Sequence, residues 1–259
     1  VKDTDGRMVG ATYLRNSLRK KSICLDLKQA EGVALFKRLV SQFDVVGENF
    51  KPGTMNRLGL GYDVLKTIHP GLVYVSVSGF GNLSESPYAD WPAYACVAEA
   101  MAGFYEAARI GDERPRLNPA GALGDIGSSL FATIGILAAL HERDKSGHGQ
   151  HVDVAMFDAM VAMADILPFF WSMGIRGNTR RAPGIVDSFK ARDGYFVVQA
   201  TRDPHLALVA KAVGHPEWLV DERFATRDGW GDQLEAVVRP AIEAWASTRT
   251  KLEVSAELC

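Results

Sequence analysis

The chain has 259 residues, of which 47% are hydrophobic and 23% are charged, and its formal net charge is −2. A chain of this length and composition can bury a substantial core in one large domain or in two modest ones. Because the charge is near neutral and no stripe of Lys and Arg alternates with aromatic residues, the composition argues against nucleic acid as a partner.

The first third of the chain alternates between strand and helix patterns. The predicted strands are residues 22–27, 43–46 and 72–77. The predicted helices between them are residues 31–41 and 62–68. This succession predicts a parallel sheet with right-handed crossovers, and ligands of such sheets bind beyond the carboxyl ends of the strands. Those ends are residues 25–28, 48–50 and 78–81.

The middle of the chain carries the most informative motif, Gly121-Ala-Leu-Gly-Asp-Ile-Gly-Ser-Ser129. It follows a helix predicted over residues 93–107 and precedes an apolar helix predicted over residues 128–140. A helix start has unpaired N–H groups and the positive end of the peptide dipoles, which would keep Asp125 ionised. The neighbouring glycines, Gly124 and Gly127, would let a ligand approach closely. Asp125 is therefore a candidate nucleophile, and the alternative is that it only caps the helix.

The remainder of the chain begins with a short strand at residues 147–154 and a helix at 155–173, interrupted at Pro168. Asp158, the other carboxylate in an apolar helix, could be a catalytic acid but is more typical of a polar group in the first turn of a helix or at an interface. A connector rich in Gly and Arg, Gly174–Gly184, suggests a boundary between a large domain, residues 1–186, and a smaller α+β domain, residues 187–259. The elements predicted beyond the connector are a strand at 195–200 and helices at 204–213, 233–246 and 251–259.

Several common functional motifs are absent from the sequence. Gly79-Phe-Gly81 lacks the third glycine of a dinucleotide fingerprint, and the sequence has no phosphate-binding P-loop, nucleophile elbow or His-Glu-x-x-His motif. His148 and His151 are close in sequence, but no further ligand at metal-binding spacing completes a site. We predict no metal site and expect the two histidines to lie at a solvated corner between a loop and a strand.

Apolar segments and cysteines indicate the compartment. The longest apolar run, Leu130–Leu140, is shorter than the roughly 20 residues that span a bilayer, and the first residues lack the apolar core of a signal peptide. Cys24, Cys96 and Cys259 form no Cys-x-x-Cys pair and are odd in number, which argues against a disulfide framework. We therefore predict a cytoplasmic protein with no membrane partner.

Seven segments, in the same order along the chain, closely resemble the class III coenzyme A transferases. This family includes formyl-CoA transferase, carnitine CoA-transferase and α-methylacyl-CoA racemase. The matching segments are Asn16–Lys28, Glu48–Gly53, Arg57–Tyr62, Val73–Gly81, Ala122–Asp125, Gly147–Val154 and Asp221–Thr226. Family members are longer at both ends, so this chain resembles a member truncated at both ends.

The resemblance implies a fold and a set of functional residues. The fold is α/β, with a Rossmann-like large domain containing a parallel sheet, a smaller α+β domain, and two interlocked subunits forming a homodimer. The nucleophile matches Asp125, and no permanently bound cofactor is implied, since coenzyme A and acyl-CoA are substrates. The matching CoA-binding residues are Leu25, Asp26, Leu27, Lys28, Asn49, Phe50, Arg57 and Tyr94.

The implied reaction moves CoA from an acyl-CoA donor to a small carboxylic acid through aspartyl-anhydride and aspartyl-CoA intermediates. Backbone N–H groups at 124–127 or nearby would stabilise the oxyanion. Two departures from the family pattern are Pro92, where a lysine is common, and the short Pro183-Gly184, where formyl-CoA transferase has a glycine-rich loop. The first weakens the set of CoA contacts, and the second argues against the formyl and oxalyl substrate pair.

Two alternative functions remain open. A racemase uses a histidine upstream of the aspartate as an acid–base partner, whereas this chain has no histidine between Gly81 and Leu140 and has Tyr94-Ala-Cys96 in that place. The other alternative is a non-catalytic CoA-binding or scaffold protein.

Overall fold

The structure is a computed structural model that describes residues 1–2, 4–83, 85–107, 109, 114–117, 121–174 and 183–258. The chain divides into two compact units. The first comprises Val1–Ala107 and Pro115–Gly174, and the second comprises Ala108–Arg114 and Ile175–Cys259. The boundary at residue 186 stays a prediction, because residues 175–182 of the connector lie outside the described residues.

A three-stranded parallel sheet lies in the first unit, with the order β1-β2-β3. The strands are β1 (Val45–Glu48), β2 (Val73–Ser78) and β3 (His151–Ala155). The central strand pairs on both sides, so that Tyr74 lies opposite Val46 and His151. The central strand β2 is buried along nearly its whole length, as expected for a strand covered on both faces, although Ser76 and Ser78 interrupt its apolar sequence. The α/β class with a parallel sheet is confirmed.

Nine helices are described in the first unit. They are α1 (Ala11–Ser17), α2 (Ala30–Val40), α3 (Thr54–Arg57), α4 (Tyr62–Ile68), α5 (Ala95–Met101), α6 (Phe104–Ala107), α7 (Leu123–Ser146), α8 (Met156–Met163) and α9 (Ile166–Ser172). Of these helices, α7 and α8 contact the sheet directly. The helix α2 is amphipathic and packs Val33, Phe36 and Val40 against a core cluster shared with β2. The helix α4 has the predicted bounds, residues 62–68.

The strand predicted at residues 22–27 is wrong. The segment has no regular secondary structure and is mostly exposed. A strand needs a hydrogen-bonded neighbour, and among the described residues β1 pairs only with β2. The apolar alternation of the segment is used differently, since Leu27 packs against the core cluster under α2.

Two predicted helices are divided. Residues 93–107 form α5 and α6, separated at Gly103, whose φ of 89° is in the left-handed region that favours glycine. Residues 155–173 form α8 and α9, and the break lies at Ala164 and Asp165 rather than at Pro168. A proline ring clashes with the carbonyl four residues earlier, here Ala164, whereas its missing N–H is tolerated in the first turn of α9.

The helix α7 is longer than predicted and begins at Leu123. It has 24 residues, and by length and composition alone it could cross a membrane, with a mean hydropathy of 1.7 and 28% of its most apolar window buried. Core helices of soluble proteins meet the same criterion, so this feature does not by itself assign α7 to a membrane.

The second unit is an antiparallel hairpin covered by helices. Its strands are β4 (Ile185–Ala191) and β5 (Gly194–Ala200), of which only β5 was predicted. Its helices are α10 (Asp203–Ala212), α11 (Arg227–Asp232), α12 (Arg239–Ala246) and α13 (Lys251–Leu258). Two 3₁₀ turns, Pro216–Val220 and Glu222–Phe224, and a π-helical turn, Leu234–Val238, connect them. In its core, Trp218 stacks on Phe224, and Trp230 meets both rings edge to face.

Candidate active site

Asp125 lies in the first turn of α7 and does not cap the helix. The N-cap position is Ala122, which has no side-chain capping bond, and Asp125 is the third helical residue. The capping interpretation is therefore wrong. Asp125 is exposed, and within the described part of the chain no side chain hydrogen-bonds or ion-pairs with its carboxylate. Its oxygen atoms are available to a ligand at the positive end of the α7 dipole.

The glycines beside Asp125 admit neighbouring helices rather than a ligand, which corrects the sequence-based expectation. A Cβ atom at Gly124 would lie 2.8 Å from the Cα of Ala95, and one at Gly127 would lie 2.5 Å from the Sδ of Met163. Gly124 therefore lets α7 approach α5, and Gly127 lets it approach α8. These close contacts fix the position of the turn that carries Asp125.

Glu99, a residue that the sequence analysis did not select, joins α5 to the start of α7. Its side chain is buried, and its Oε1 accepts a hydrogen bond from the Gly124 N–H at 3.0 Å. Its Oε2 accepts a hydrogen bond from the Tyr105 hydroxyl at 2.6 Å. Burial and this hydrogen bond to Glu99 raise the pKa of Tyr105 to about 12. A lone charge within the apolar sequence of α5 was the signal that could have identified Glu99.

The prediction that backbone N–H groups at residues 124–127 stabilise the oxyanion also needs correction. The Gly124 N–H donates to Glu99, and the Ile126 N–H donates to the Ala122 carbonyl at 3.1 Å. These two amides are therefore engaged within the protein. An oxyanion formed next to Asp125 would need other donors.

Tyr94 lies beside the same turn. It occupies the N-cap position of α5, and its side chain is 71% exposed. The next residue, Ala95, is the one that contacts Gly124, while Asp125 follows Gly124 in α7. The structure thus places Tyr94 and Asp125 on either side of one backbone contact.

This contact lies at the carboxyl edge of the sheet. The far end of α7 is fixed at the opposite edge, where Arg143 donates to the Asp44 carboxylate at 2.9 Å and to the Gly71 carbonyl at 3.3 Å. Both acceptors precede a strand. Since α7 contacts β2 and β3 and its last turns lie at the amino ends of the strands, its first turn lies towards their carboxyl ends, where ligands of such sheets bind.

Asp153 shapes the loop that follows β2 at this edge, and the sequence analysis missed it. Its carboxylate accepts hydrogen bonds from the Asn82 backbone N–H at 2.6 Å, the Asn82 side-chain amide at 3.0 Å and the Leu83 N–H at 2.8 Å. The loop starts at Gly79, where a Cβ atom would lie 2.0 Å from that of Ala93, the residue before Tyr94.

The predicted CoA-binding segment at residues 25–28 forms a turn before α2. The Lys28 N–H donates to the Asp26 carboxylate at 3.0 Å, and a Cβ atom at Gly32 would overlap the Asp26 carbonyl. Leu25 and Leu27 are half-buried, whereas Asp26 and Lys28 are exposed. Asp26 therefore stabilises the turn with its carboxylate.

The other predicted CoA-binding residues follow β1. The Phe50 N–H donates to the Glu48 carboxylate at 2.8 Å, which turns the chain after the strand and leaves Asn49 and Phe50 exposed. The Arg57 guanidinium donates to the Thr54 hydroxyl at 2.9 Å and is exposed. In the described ranges, neither Arg57 nor Lys28 forms a salt bridge, so both cations are free to meet phosphates.

The described contacts bring the predicted residues into two groups. One group is Tyr94 with Asp125, and the other is the pair of segments at 25–28 and 49–57, because Leu27 and Met55 belong to one core cluster. No described hydrogen bond joins the two groups. Among the residues that the structure describes, no group of three or more His, Cys, Asp or Glu side chains could hold a metal ion.

Comparisons with known proteins bear on this site. The family model described as CoA-transferase family III matches residues 3–259. The chain is 38% identical to succinyl-CoA–D-citramalate CoA-transferase of Chloroflexus aurantiacus, covering 89% of this chain and 58% of that protein. It is 35% identical to acetyl-CoA:oxalate CoA-transferase of Acetobacter aceti, covering 86% of this chain and 59% of that protein. The crystal structure of a CAIB/BAIF family protein from Brucella suis matches with a TM-score of 0.75 and 32% identity. The match covers 92% of this chain and 64% of that protein. The chain thus spans less than two thirds of the length of each.

Proposed function

The chain belongs to CoA-transferase family III, and we propose on this basis that it moves CoA from an acyl-CoA donor to a carboxylic acid. The observation that carries the proposal is the Asp125 carboxylate, which is exposed and has no partner among the described side chains. The relatives' names combine a CoA thioester with a small acid, D-citramalate or oxalate. They support a small carboxylic acid as the acceptor.

The proposed reaction has four displacement steps. An Asp125 oxygen attacks the carbonyl carbon of the donor thioester, the C–S bond breaks, and a mixed anhydride and CoA thiolate form. The thiolate attacks the Asp125 carbonyl carbon, which gives aspartyl-CoA and releases the donor acid as its carboxylate. The acceptor carboxylate then attacks aspartyl-CoA, and CoA thiolate leaves again. Finally the thiolate attacks the acceptor carbonyl of the second anhydride, which gives the new acyl-CoA and restores Asp125.

The CoA-binding part of the proposal uses the other predicted residues. Lys28 and Arg57 supply positive charge for the phosphates of CoA, since neither forms a described salt bridge. Leu25, Asp26 and Leu27 belong to the same turn as Lys28, and Asn49 and Phe50 follow β1 near it in the fold. Tyr94 lines the thioester end of CoA, because it lies beside the turn of Asp125. A homodimer and a cytoplasmic location complete the proposal.

The test compares two aspartates in similar places. Asp125 and Asp158 are both exposed and both lie in the first turn of an apolar helix. We expect Asp125→Asn to lower the transfer rate at least about 1,000-fold, as removal of a nucleophile does. CoA affinity should stay within about twofold, because Asp125 does not bind the phosphates. Asp158→Asn is the matched control and should keep the transfer rate and the CoA affinity of the original protein.

The measurement is mass spectrometry of acyl-CoA products, using the complete protein, succinyl-CoA or acetyl-CoA as donor, and a panel of dicarboxylic and carnitine-type acids. Hydroxylamine or borohydride should trap an adduct on Asp125. An active Asp125→Asn variant would contradict the proposed nucleophile. CoA binding without an adduct would indicate a scaffold, and deuterium incorporation at the α-carbon without a second acid would indicate a racemase.

A further inference from the structure

Glu99 is a buried carboxyl residue that contacts the start of the helix carrying Asp125. Its side chain is 2% exposed, and the described contacts of its two oxygen atoms are with hydrogen-bond donors, the Gly124 N–H and the Tyr105 hydroxyl. Buried carboxylates are rare in proteins unless their oxygen atoms have such partners. The two hydrogen bonds of Glu99 therefore satisfy its buried oxygen atoms, and the proposed displacement steps give this side chain no role.

The first turn of α7 needs an acceptor from elsewhere in the chain. The first N–H groups of a helix have no partner within it, and the N-cap residue, Ala122, offers no side-chain oxygen. Glu99, which is 25 residues earlier, supplies that oxygen from α5. A negative group at this end of a helix is also favoured by the helix dipole. Glu99 thus ties the residue immediately before Asp125 to a neighbouring helix.

The hydrogen bond from the Gly124 N–H to Glu99 also fixes the position of Asp125 relative to Tyr94. Glu99 lies in α5, whose N-cap is Tyr94, and α5 meets α7 at the contact of Ala95 with Gly124. The hydrogen bond and the backbone contact together hold the two helix starts in one position. A nucleophile held in this way attacks without a further loss of orientational freedom.

We propose that Glu99 is a positioning residue for the nucleophile: by accepting the Gly124 N–H, it holds the first turn of α7 so that Asp125 faces the thioester. The inference rests on the proposed function of Asp125. It assigns Glu99 no contact with the substrate. It also requires that the bond to Gly124, rather than the bond to Tyr105, is the important one for transfer.

Three variants of the complete protein separate these two bonds. Glu99→Met keeps a side chain of similar size and removes both acceptors. Glu99→Gln keeps an oxygen for the Gly124 N–H and can donate to the Tyr105 hydroxyl. Tyr105→Phe is the matched control, because it removes a hydrogen bond to the same carboxylate but leaves the bond to Gly124. Glu99→Asp, which keeps the charge but is one methylene shorter, replaces Glu99→Met if that variant does not fold.

The readouts are transfer kinetics, CoA affinity and amide hydrogen exchange. We expect Glu99→Met to lower kcat by about 100-fold with little change in CoA affinity, since a small misplacement of a nucleophile has this effect. Exchange at residues 124–127 should accelerate at least about tenfold in this variant, because the first turn opens more often. Glu99→Gln and Tyr105→Phe should keep kcat within about threefold of the original protein.

Equal kcat in Glu99→Met and Tyr105→Phe would overturn the inference, as would accelerated exchange without a loss of kcat. If the original protein transfers no CoA, the proposed function fails and the catalytic part of the inference fails with it. The exchange measurement, which needs no activity, then still decides whether Glu99 holds the start of α7. Unchanged exchange in Glu99→Met would contradict that role.

Discussion

Two glycines near the start of α7 differ in what lies against them. A Cβ atom at Gly124 would lie 2.8 Å from the backbone Cα of Ala95, whereas one at Gly127 would lie 2.5 Å from the Sδ of Met163. A methionine side chain can rotate away, but a helix backbone cannot move without its whole helix. We expect Gly124→Ala to lower the free energy of unfolding by about 1–3 kcal/mol, as overpacking does. Gly127→Ala should have a smaller effect, because the methionine can move aside and the higher helix propensity of alanine then offsets the remaining strain.

Urea unfolding of the two variants measures this difference. If both variants lose the same free energy of unfolding, or if Gly127→Ala loses more, the backbone contact of α5 with α7 adapts to a side chain more readily than the geometry indicates. Gly124→Ala should also lower the transfer rate more than Gly127→Ala, because it displaces the turn that carries Asp125.

Single residues were only partly predictable from the sequence. Asp125 could be selected, because a carboxylate among glycines before an apolar run is conspicuous. Whether it caps the helix depends on where α7 begins, and the glycines hid that start because glycine is unfavourable within helices. Their true role depends on partners in α5 and α8, distant in sequence. Glu99 was missed for the same reason, since its partner at Gly124 is 25 residues away.

Among the elements of the sheet, β3 carries a histidine packed between aromatic rings. The Nε2 of His151 lies 2.9 Å from the Ser76 hydroxyl oxygen, and its ring centroid lies 5.1 Å from that of Tyr74 and 5.4 Å from that of Tyr62. The ring is half-buried. The expectation that this histidine lies at a solvated corner is therefore wrong, because the parallel pairing with β2 draws it into the sheet.

This packing makes the stability of the first unit depend on pH. Burial lowers the pKa of His151 from 6.5, although three carboxylates, those of Asp153, Glu48 and Asp63, act in the opposite direction. Below pH 6.5 the unfolded chain binds a proton at this histidine that the folded protein does not bind. The free energy of unfolding therefore falls as the pH falls below 6.5 and through the lower pKa of the folded state.

We expect His151→Phe, which keeps an aromatic ring in the cluster, to lose less stability between about pH 7.5 and about pH 5.5 than the original protein. Urea unfolding at the two pH values is the measurement. His148→Gln, a change at an exposed histidine, is the control and should keep the original pH dependence. If the stability of His151→Phe depends on pH as that of the original protein does, a group other than His151 causes the dependence.

Elements with a local signal were predicted better than those that need a distant partner. The bounds of α4 follow from its own periodicity and were correct, and β1 and β2 were displaced by one or two residues. Residues 22–27 have the alternation of a strand, yet that pattern cannot show whether a neighbouring strand is available. The hairpin strand β4 was missed because it directly follows a connector rich in Gly and Arg and contains Asp, Ser and Lys.

At the scale of the whole molecule, α7 buries its small residues and exposes large apolar ones. The buried residues of α7 are Gly124, Gly127, Ser128, Ala132 and Ala139. Four exposed residues at spacings of four, four and three share another face, and they are Ile126, Leu130, Ile134 and Leu137. Helices at a solvated surface usually have the opposite arrangement. An exposed apolar stripe of this kind indicates an interaction surface.

We propose that a second copy of the chain covers this stripe, in line with the homodimer that the family resemblance implies. Leu130→Glu with Ile134→Glu would bury two unpaired charges in such an interface, so we expect the double variant of the complete protein to be monomeric by light scattering. Val64→Glu, a change at an exposed apolar residue of α4, is the control and should remain dimeric. A monomeric original protein, or a dimeric double variant, would contradict the proposal. Sedimentation of the monomer with phospholipid vesicles would instead assign the stripe to a membrane surface.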